Sequence, residues 1–261
     1  MAQKSLWLTW MATGDGAPSP QGTVEALSKC GFSVTGAPWV DAPKEFAWTE
    51  LAEQLKADGG PDVWVIAARQ QDLANLDHRF GLSMVTAMVR ADRKKLPHIA
   101  IIGLDGMPDL QGLPTLLQSC KLIDGVAAGW AAKVLTMTVA PSTAPNEPFR
   151  LRVSAQKVLG MWIEVGPSSG EWSGAMLGVA GGAKISNHAV GPQGGLPERT
   201  VLEYKLEGLE LEVGRDTYVA WAVQNRLTAT DSYYVKVDGT PTKLLVGQHP
   251  DVDPDVSVVS F

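Results

Sequence analysis

The segment Asp62–Leu104, DVWVIAARQQDLANLDHRFGLSMVTAMVRADRKKLPHIAIIGL, decides the fold. It opens on Val63-Trp64-Val65-Ile66, an unbroken apolar run within Asp62–Ala68. A strand reads this way when both of its faces are buried, and strands buried on both faces belong to parallel sheets covered by helices. Arg79–Lys95 then places Leu82, Val85, Met88 and Val89 on one side of an amphipathic helix, which Pro97 ends. His98–Leu104 is a second buried strand, closed by Asp105-Gly106. A strand, a crossover helix and a parallel strand form a right-handed unit.

The same alternation extends in both directions. Ser5–Met11 reads as a buried strand and Gln21–Lys29 as a helix, with Gly31 as its stop. Phe32–Val34 begins another strand, and Phe46, Leu51 and Leu55 mark a helix over Phe46–Ala57. Downstream, Leu113–Cys120 reads as a short helix and Lys121–Val126 as a strand, while Ala127–Thr138 fits helix or strand. The expectation is a doubly wound, mostly parallel sheet over residues 1–140, resembling flavodoxin-like and Rossmann-like folds.

Val139–Pro148 contains three prolines in ten residues and reads as a linker. Beyond it helical spacing ends. Phe149–Ser154, Leu159–Val165, Ala175–Val179, Val201–Glu212, Tyr218–Val223 and Ser232–Val237 read as short strands separated by turns. Val201–Glu212 alternates with period two and breaks at Glu207-Gly208. An antiparallel β-sandwich over residues 149–261 is expected. Leu209, Leu211, Gly214, Tyr218, Ala220, Ala222 and Asn225 resemble the later strands of fibronectin type III and immunoglobulin-like sandwiches. That resemblance covers Leu206–Val237 and favours a sandwich over a barrel.

Composition narrows the partners. The net charge is −6, and the densest cationic cluster is Arg90, Arg93, Lys94 and Lys95. A phosphate backbone needs a broader positive patch, so nucleic acid is not expected as a partner. No run approaches the ~18 apolar residues of a membrane span, so no membrane partner is expected either. The start, Met1–Trp10, has too short an apolar run for a signal segment. Cys30 and Cys120 cannot build a disulfide framework or a zinc site alone, so free, buried thiols and a cytoplasmic location are expected. Nine tryptophans are the one compositional departure, and core packing is their ordinary use.

The best candidate for a ligand site is the loop containing Thr13, Gly14, Asp15, Gly16 and Ser19, between a strand and a helix. Ligands of doubly wound sheets gather at the carboxyl ends of strands. Arg69 and Asp105 each follow a buried strand and belong to that same edge. Helix N-termini and Arg69 would favour an anionic group, with Asp15 or Asp105 orienting a hydroxyl or ring nitrogen. The loop is neither Gly-x-Gly-x-x-Gly nor a phosphate-binding Gly-Lys-Ser/Thr loop, so it names no cofactor. His78 precedes its helix and reads as an exposed loop residue. His98, His188 and His249 lack metal-ligand spacing, and no metal site is expected. The acidic tail His249–Asp255 lacks the glycine and distal glutamate of a calcium loop. No Gly-x-Ser-x-Gly elbow occurs, and Cys30, near a helix C-terminus, is poorly placed as a nucleophile.

The order of elements over Ser5–Val126 is similar to that of TIR domains, and Phe46-Ala47-Trp48-Thr49-Glu50-Leu51 resembles their Trp-x-x-Glu-Leu segment. In that family the segment follows the third strand and supplies the glutamate of NAD cleavage. Here it precedes the Val63–Ala67 strand, and Arg79–Lys95 has no glutamate, so no residue is carried over. The missing motif set and the added β-domain point to a protein-interaction or scaffold module. The alternative is an enzyme or binder of a small anionic ligand at Thr13–Gly16, Ser19, Arg69 and Asp105.

Overall fold

A computed structural model describes residues 3–11, 18–143, 145–251 and 255–261. The chain divides into two compact units: Met1–Ala42 with Ala47–Pro145, and Pro43–Phe46 with Asn146–Phe261.

The first unit holds β1 (Lys4–Trp10), α1 (Gln21–Lys29), β2 (Phe32–Pro38), α2 (Trp48–Lys56), β3 (Val63–Ala68), α3 (Gln70–Ala74), α4 (Leu76–Asp92), β4 (His98–Gly103), β5 (Lys121–Asp124) and α5 (Trp130–Met137). Its five strands form one parallel sheet in the order β2-β1-β3-β4-β5. This is the flavodoxin-like order, in which the chain turns back at the β1/β3 pair. All six residues of β3 are buried, as a central strand covered on both faces requires. Leu6, Leu8, Val63, Val65 and Ile102 share one core with Leu27 of α1 and with Ala131 and Val134 of α5. The alternate residues of β1, Trp7 and Thr9, point to the opposite face, where Trp48 of α2 meets Phe80 of α4 edge-on, ring centroids 6.4 Å apart.

Several element boundaries differ from the sequence reading, each for a local reason. The helix placed at Arg79–Lys95 begins at Leu76, because the Asn75 side chain accepts from the Asp77 and His78 N–H groups at 2.9 and 3.1 Å. His78 is therefore not an exposed loop residue. It is buried in the first turn of α4, its Nδ1 2.9 Å from the Asp72 carbonyl. Leu113–Cys120 forms only a 3-10 turn at Thr115–Leu117 before β5 begins at Lys121. Trp130–Met137 is a helix, entered through left-handed Gly129.

The second unit is all β: β6 (Phe149–Gln156), β7 (Gly160–Pro167), β8 (Glu171–Trp172), β9 (Ala175–Ala180), β10 (Lys184–Pro192), β11 (Leu206–Val213), β12 (Asp216–Val223), β13 (Leu227–Thr228), β14 (Asp231–Asp238), β15 (Lys243–Gly247) and β16 (Val256–Ser260). The two larger sheets run β10-β14-β7-β6 and β11-β12-β9-β15-β16, all antiparallel, and β13 pairs with β8. His188 of the first sheet lies edge-on to Trp221 of the second at 4.8 Å, as in a sandwich interior. Strand β11 starts at Leu206 and not at Val201, because the Asn225 amide binds the Val201 carbonyl and the Glu203 N–H, both at 2.9 Å. Tyr204 is also left-handed (φ 43°), a backbone that a residue with a side chain rarely adopts inside a strand.

Candidate functional site

Parallel strands aim their carboxyl ends one way, and backbone hydrogen bonds keep the exits level. Met11 N–H donates to the Ala67 carbonyl at 2.9 Å, Leu104 to Ala68 at 2.8 Å and Gly125 to Gly103 at 3.0 Å. A Cβ on Gly103 would stand 1.9 Å from the Gly106 carbonyl oxygen, so the tight turn into Asp105 requires glycine. Arg69 and Asp105 accordingly leave from adjacent strands at one edge.

Their chemistry is turned inward. Arg69 Nε lies 2.9 Å from Asp72 Oδ2 and Nη2 3.0 Å from Oδ1, a bidentate fork. Asp72 also accepts from the Arg69 backbone N–H at 2.9 Å. Hydrogen bonding to Asp72, with a weaker contribution from the nearby Asp105 charge, raises the guanidinium pKa further. Asp105 accepts from the Gln70 N–H at 3.0 and 3.1 Å through its two oxygens. Ser19 is exposed and accepts from the Gln21 N–H at 3.3 Å, at the start of α1. Thr13, Gly14, Asp15 and Gly16 lie outside the described residues. Arg69 and Asp105 thus share an edge while serving as caps of α3.

That edge also carries large apolar side chains in solvent. Val40 after β2, Leu76 at the head of α4, Met107 and Leu110 after β4, and Val126 after β5 are 47–67 % exposed. None of the five entered the sequence reading of the site, because an isolated apolar residue in a loop carries no periodicity.

A second feature lies on the α2/α4 face. A cavity of about 340 Å³ is lined by Trp7, Thr9, Trp39, Trp48, Glu50 and Leu51, among others. Trp39 follows β2 directly, its N–H bonded to the Trp10 carbonyl at 2.8 Å. Its ring lies edge-on to His78 at 6.3 Å and crosses α4 at Gly81. Thr9 Oγ1 accepts from Trp64 Nε1 at 2.9 Å. On the other face, a cavity of about 420 Å³ lies among Leu8, Trp10, Val24, Val34 and Pro38, an almost wholly apolar set.

In the second unit, buried polar groups serve the fold. His188 Nδ1 meets the Tyr233 hydroxyl at 2.8 Å, and Nε2 lies 3.4 Å from Glu207. Burial, the dominant influence, lowers the His188 pKa and raises that of Tyr233. Glu164 accepts from Ser232 Oγ at 2.8 Å and from the Gly194 N–H at 3.0 Å. Among the described residues no three His, Cys, Asp or Glu side chains cluster as metal ligands do, and no helix is long and apolar enough to cross a membrane. Cys30 and Cys120 are unpaired; each residue is half-buried, and the Cys120 thiol itself is desolvated.

No protein-family model matches the sequence, and no curated protein matches it.

Proposed function

We propose that this protein is a non-catalytic interaction or scaffold module of the cytoplasm, and that the carboxyl edge of its parallel sheet is where its first unit meets a protein partner. The carrying observation is the set of exposed apolar side chains on the loops and the α4 head of that edge: Val40, Leu76, Met107, Leu110 and Val126. Loops tolerate polar residues freely, whereas apolar side chains on a protein surface mark contact sites when several share a region. The acidic balance, net −6, supports a protein partner over nucleic acid.

The alternative, an enzyme or anion binder at Ser19, Arg69 and Asp105 with the Thr13–Gly16 loop, draws its support from the shared edge of Arg69 and Asp105. Against it, the Arg69 fork is filled by Asp72, and the Asp105 carboxylate would repel an anion. One experiment separates the two. A photo-crosslinking amino acid at Met107 or Val126, in cells that express the chain, is expected to give one defined protein adduct that Leu110→Asp removes. The same group at exposed Val158 in the second unit serves as the control. Adducts no stronger than the control would refute the interaction reading. A rise in Tm with nucleotides or sugar phosphates that Arg69→Ala abolishes would establish the anion site in its place.

A further inference from the structure

We propose that the cavity walled by Trp7, Trp39 and Trp48 binds a small organic cation bearing a methylated ammonium group, with Glu50 as its counter-ion. The volume, about 340 Å³, stands at the lower end of small-molecule sites, which run to roughly 300–1,000 Å³. Three indoles on one small cavity is a dense aromatic wall for a chain with nine tryptophans.

The way the rings are turned matters more than their number. The Nε1 atoms of Trp7 and Trp39 have essentially no accessible surface, so these indoles present carbon to the cavity. For Trp39 the packing identifies which carbons. Its Cζ2 and Cη2 atoms abut Gly81 of α4, on the same side of the ring as Nε1. That leaves the ring face and the opposite edge for an occupant. The face of an indole is the negative pole of its quadrupole and attracts a cation, most strongly where water is excluded.

The charges of the lining agree with that polarity. Glu50, in the first turn of α2, is the one charged residue of the described lining, and no Lys or Arg contributes to it. Its carboxylate is exposed and forms no hydrogen bond or ion pair within the described residues. A primary ammonium carries three N–H donors and would need three acceptors. Thr9 Oγ1 is already engaged by Trp64 Nε1 at 2.9 Å, and Glu50 and Gln54 supply the only other polar side chains of the wall. A methylated ammonium has few or no N–H groups to satisfy and an apolar surface that suits the aromatic wall. The chemistry therefore selects the methylated ion over the bare one.

The test uses the full chain, isothermal titration and choline chloride as the probe. Its uncharged isostere, 3,3-dimethylbutan-1-ol, has the same shape without the charge. Choline is expected to bind at millimolar Kd or tighter, and the isostere about tenfold more weakly or not at all. Glu50→Gln is expected to weaken choline roughly three- to tenfold and leave the isostere unchanged, since a half-open ion pair is a modest contributor. Trp7→Leu should weaken choline by at least as much. Glu50 lies on the helix surface, so its variant reports on binding even if the Trp7 variant unfolds. The proposal is overturned if no heat attends choline up to about 50 mM, far above a weak Kd. It is equally overturned if the isostere binds as well as choline, or if the Glu50 variant binds choline as the parent does.

Discussion

Gly81→Ala offers a test in which two opposing effects predict different signs. Gly81 lies inside α4, where replacing glycine by alanine ordinarily stabilises by about 1 kcal/mol through helix propensity. Here the added Cβ would stand 2.5 Å from Trp39 Cζ2 and 2.8 Å from Cη2. Ordinary contact begins at 3.4 Å, so the ring must retreat by roughly 0.9 Å, the difference between 3.4 and 2.5 Å. An indole has two side-chain torsions and a rigid frame. Trp39 is 9 % exposed, with His78 edge-on at 6.3 Å, which leaves little room for a costless rotation. Overpacking of this kind costs about 1–3 kcal/mol, so the net change is from about zero to 2 kcal/mol of destabilisation. Urea unfolding followed by circular dichroism measures it, with the slope checked for constancy. A variant stabilised by the full helix-propensity increment would refute the packing of Trp39 on Gly81, and with it the ring orientation from which cation binding is argued.

Three further outcomes follow from the geometry. Asn75→Ala removes the acceptor for two N–H groups at the head of α4 and should destabilise by about 1 kcal/mol, while Asn75→Asp restores most of it; equal urea midpoints for parent and alanine variant would contradict the cap. His98 and His188 are both held below their ordinary 6.5, chiefly by burial, so between the lowered value and 6.5 the unfolded chain binds more protons than the folded one. Stability is therefore fully present above about 6.5 and falls on acidification below it; His188→Gln should flatten part of the decline between neutral and mildly acidic pH, and an unchanged slope would exclude His188 as a source. Burial pushes the Cys120 thiol from an ordinary 9.0 up to about 12, so at pH 8 its thiolate fraction is on the order of a thousandfold lower than in the unfolded chain. Labelling followed by peptide mass spectrometry should find Cys120 modified at least tens of times more slowly in the native protein than in denaturant, and equal rates would contradict the burial.

The parallel half was legible because burial on both faces writes itself into composition: Val63–Ala68 is apolar throughout, and all six of its residues are buried. Strand β10, by contrast, left no such trace. Its register shifts between Ile185 and Asn187, and that irregularity breaks the period-two pattern that would have revealed Lys184–Pro192. Spacing locates the body of α4 but neither end: the Asn75 side chain starts it at Leu76, three residues before Arg79, and it stops at Asp92, three before Lys95. The bulge at Gly208 sits where the sequence alternation falters, one case in which a glycine announces its own geometry (φ 74°).

The candidate sites divide along the same line between local and distant relations. That Arg69 and Asp105 share an edge follows from where two adjacent strands end, and strand ends are readable. That Asp72 takes the Arg69 fork was readable too, since Arg69-Gln70-Gln71-Asp72 puts a carboxylate three residues on, at the spacing of a helix's first turn. The aromatic cavity depends on relations that sequence does not display. Trp7 comes from the middle of β1, Trp39 from the exit of β2 and Trp48 from the head of α2, and only the order β2-β1-β3 brings them together. A tryptophan needed solely for the core could turn its ring in any direction that fills space. Trp64 is such a residue, wholly buried with its Nε1 satisfied by Thr9. Trp7 and Trp39 differ in burying Nε1 with no acceptor among the described residues, so that each turns carbon toward the cavity. Carbon surfaces of three indoles beside an open volume and one exposed carboxylate make a site that exists only once the order β2-β1-β3 is assembled, which is why no pattern along the chain reveals it.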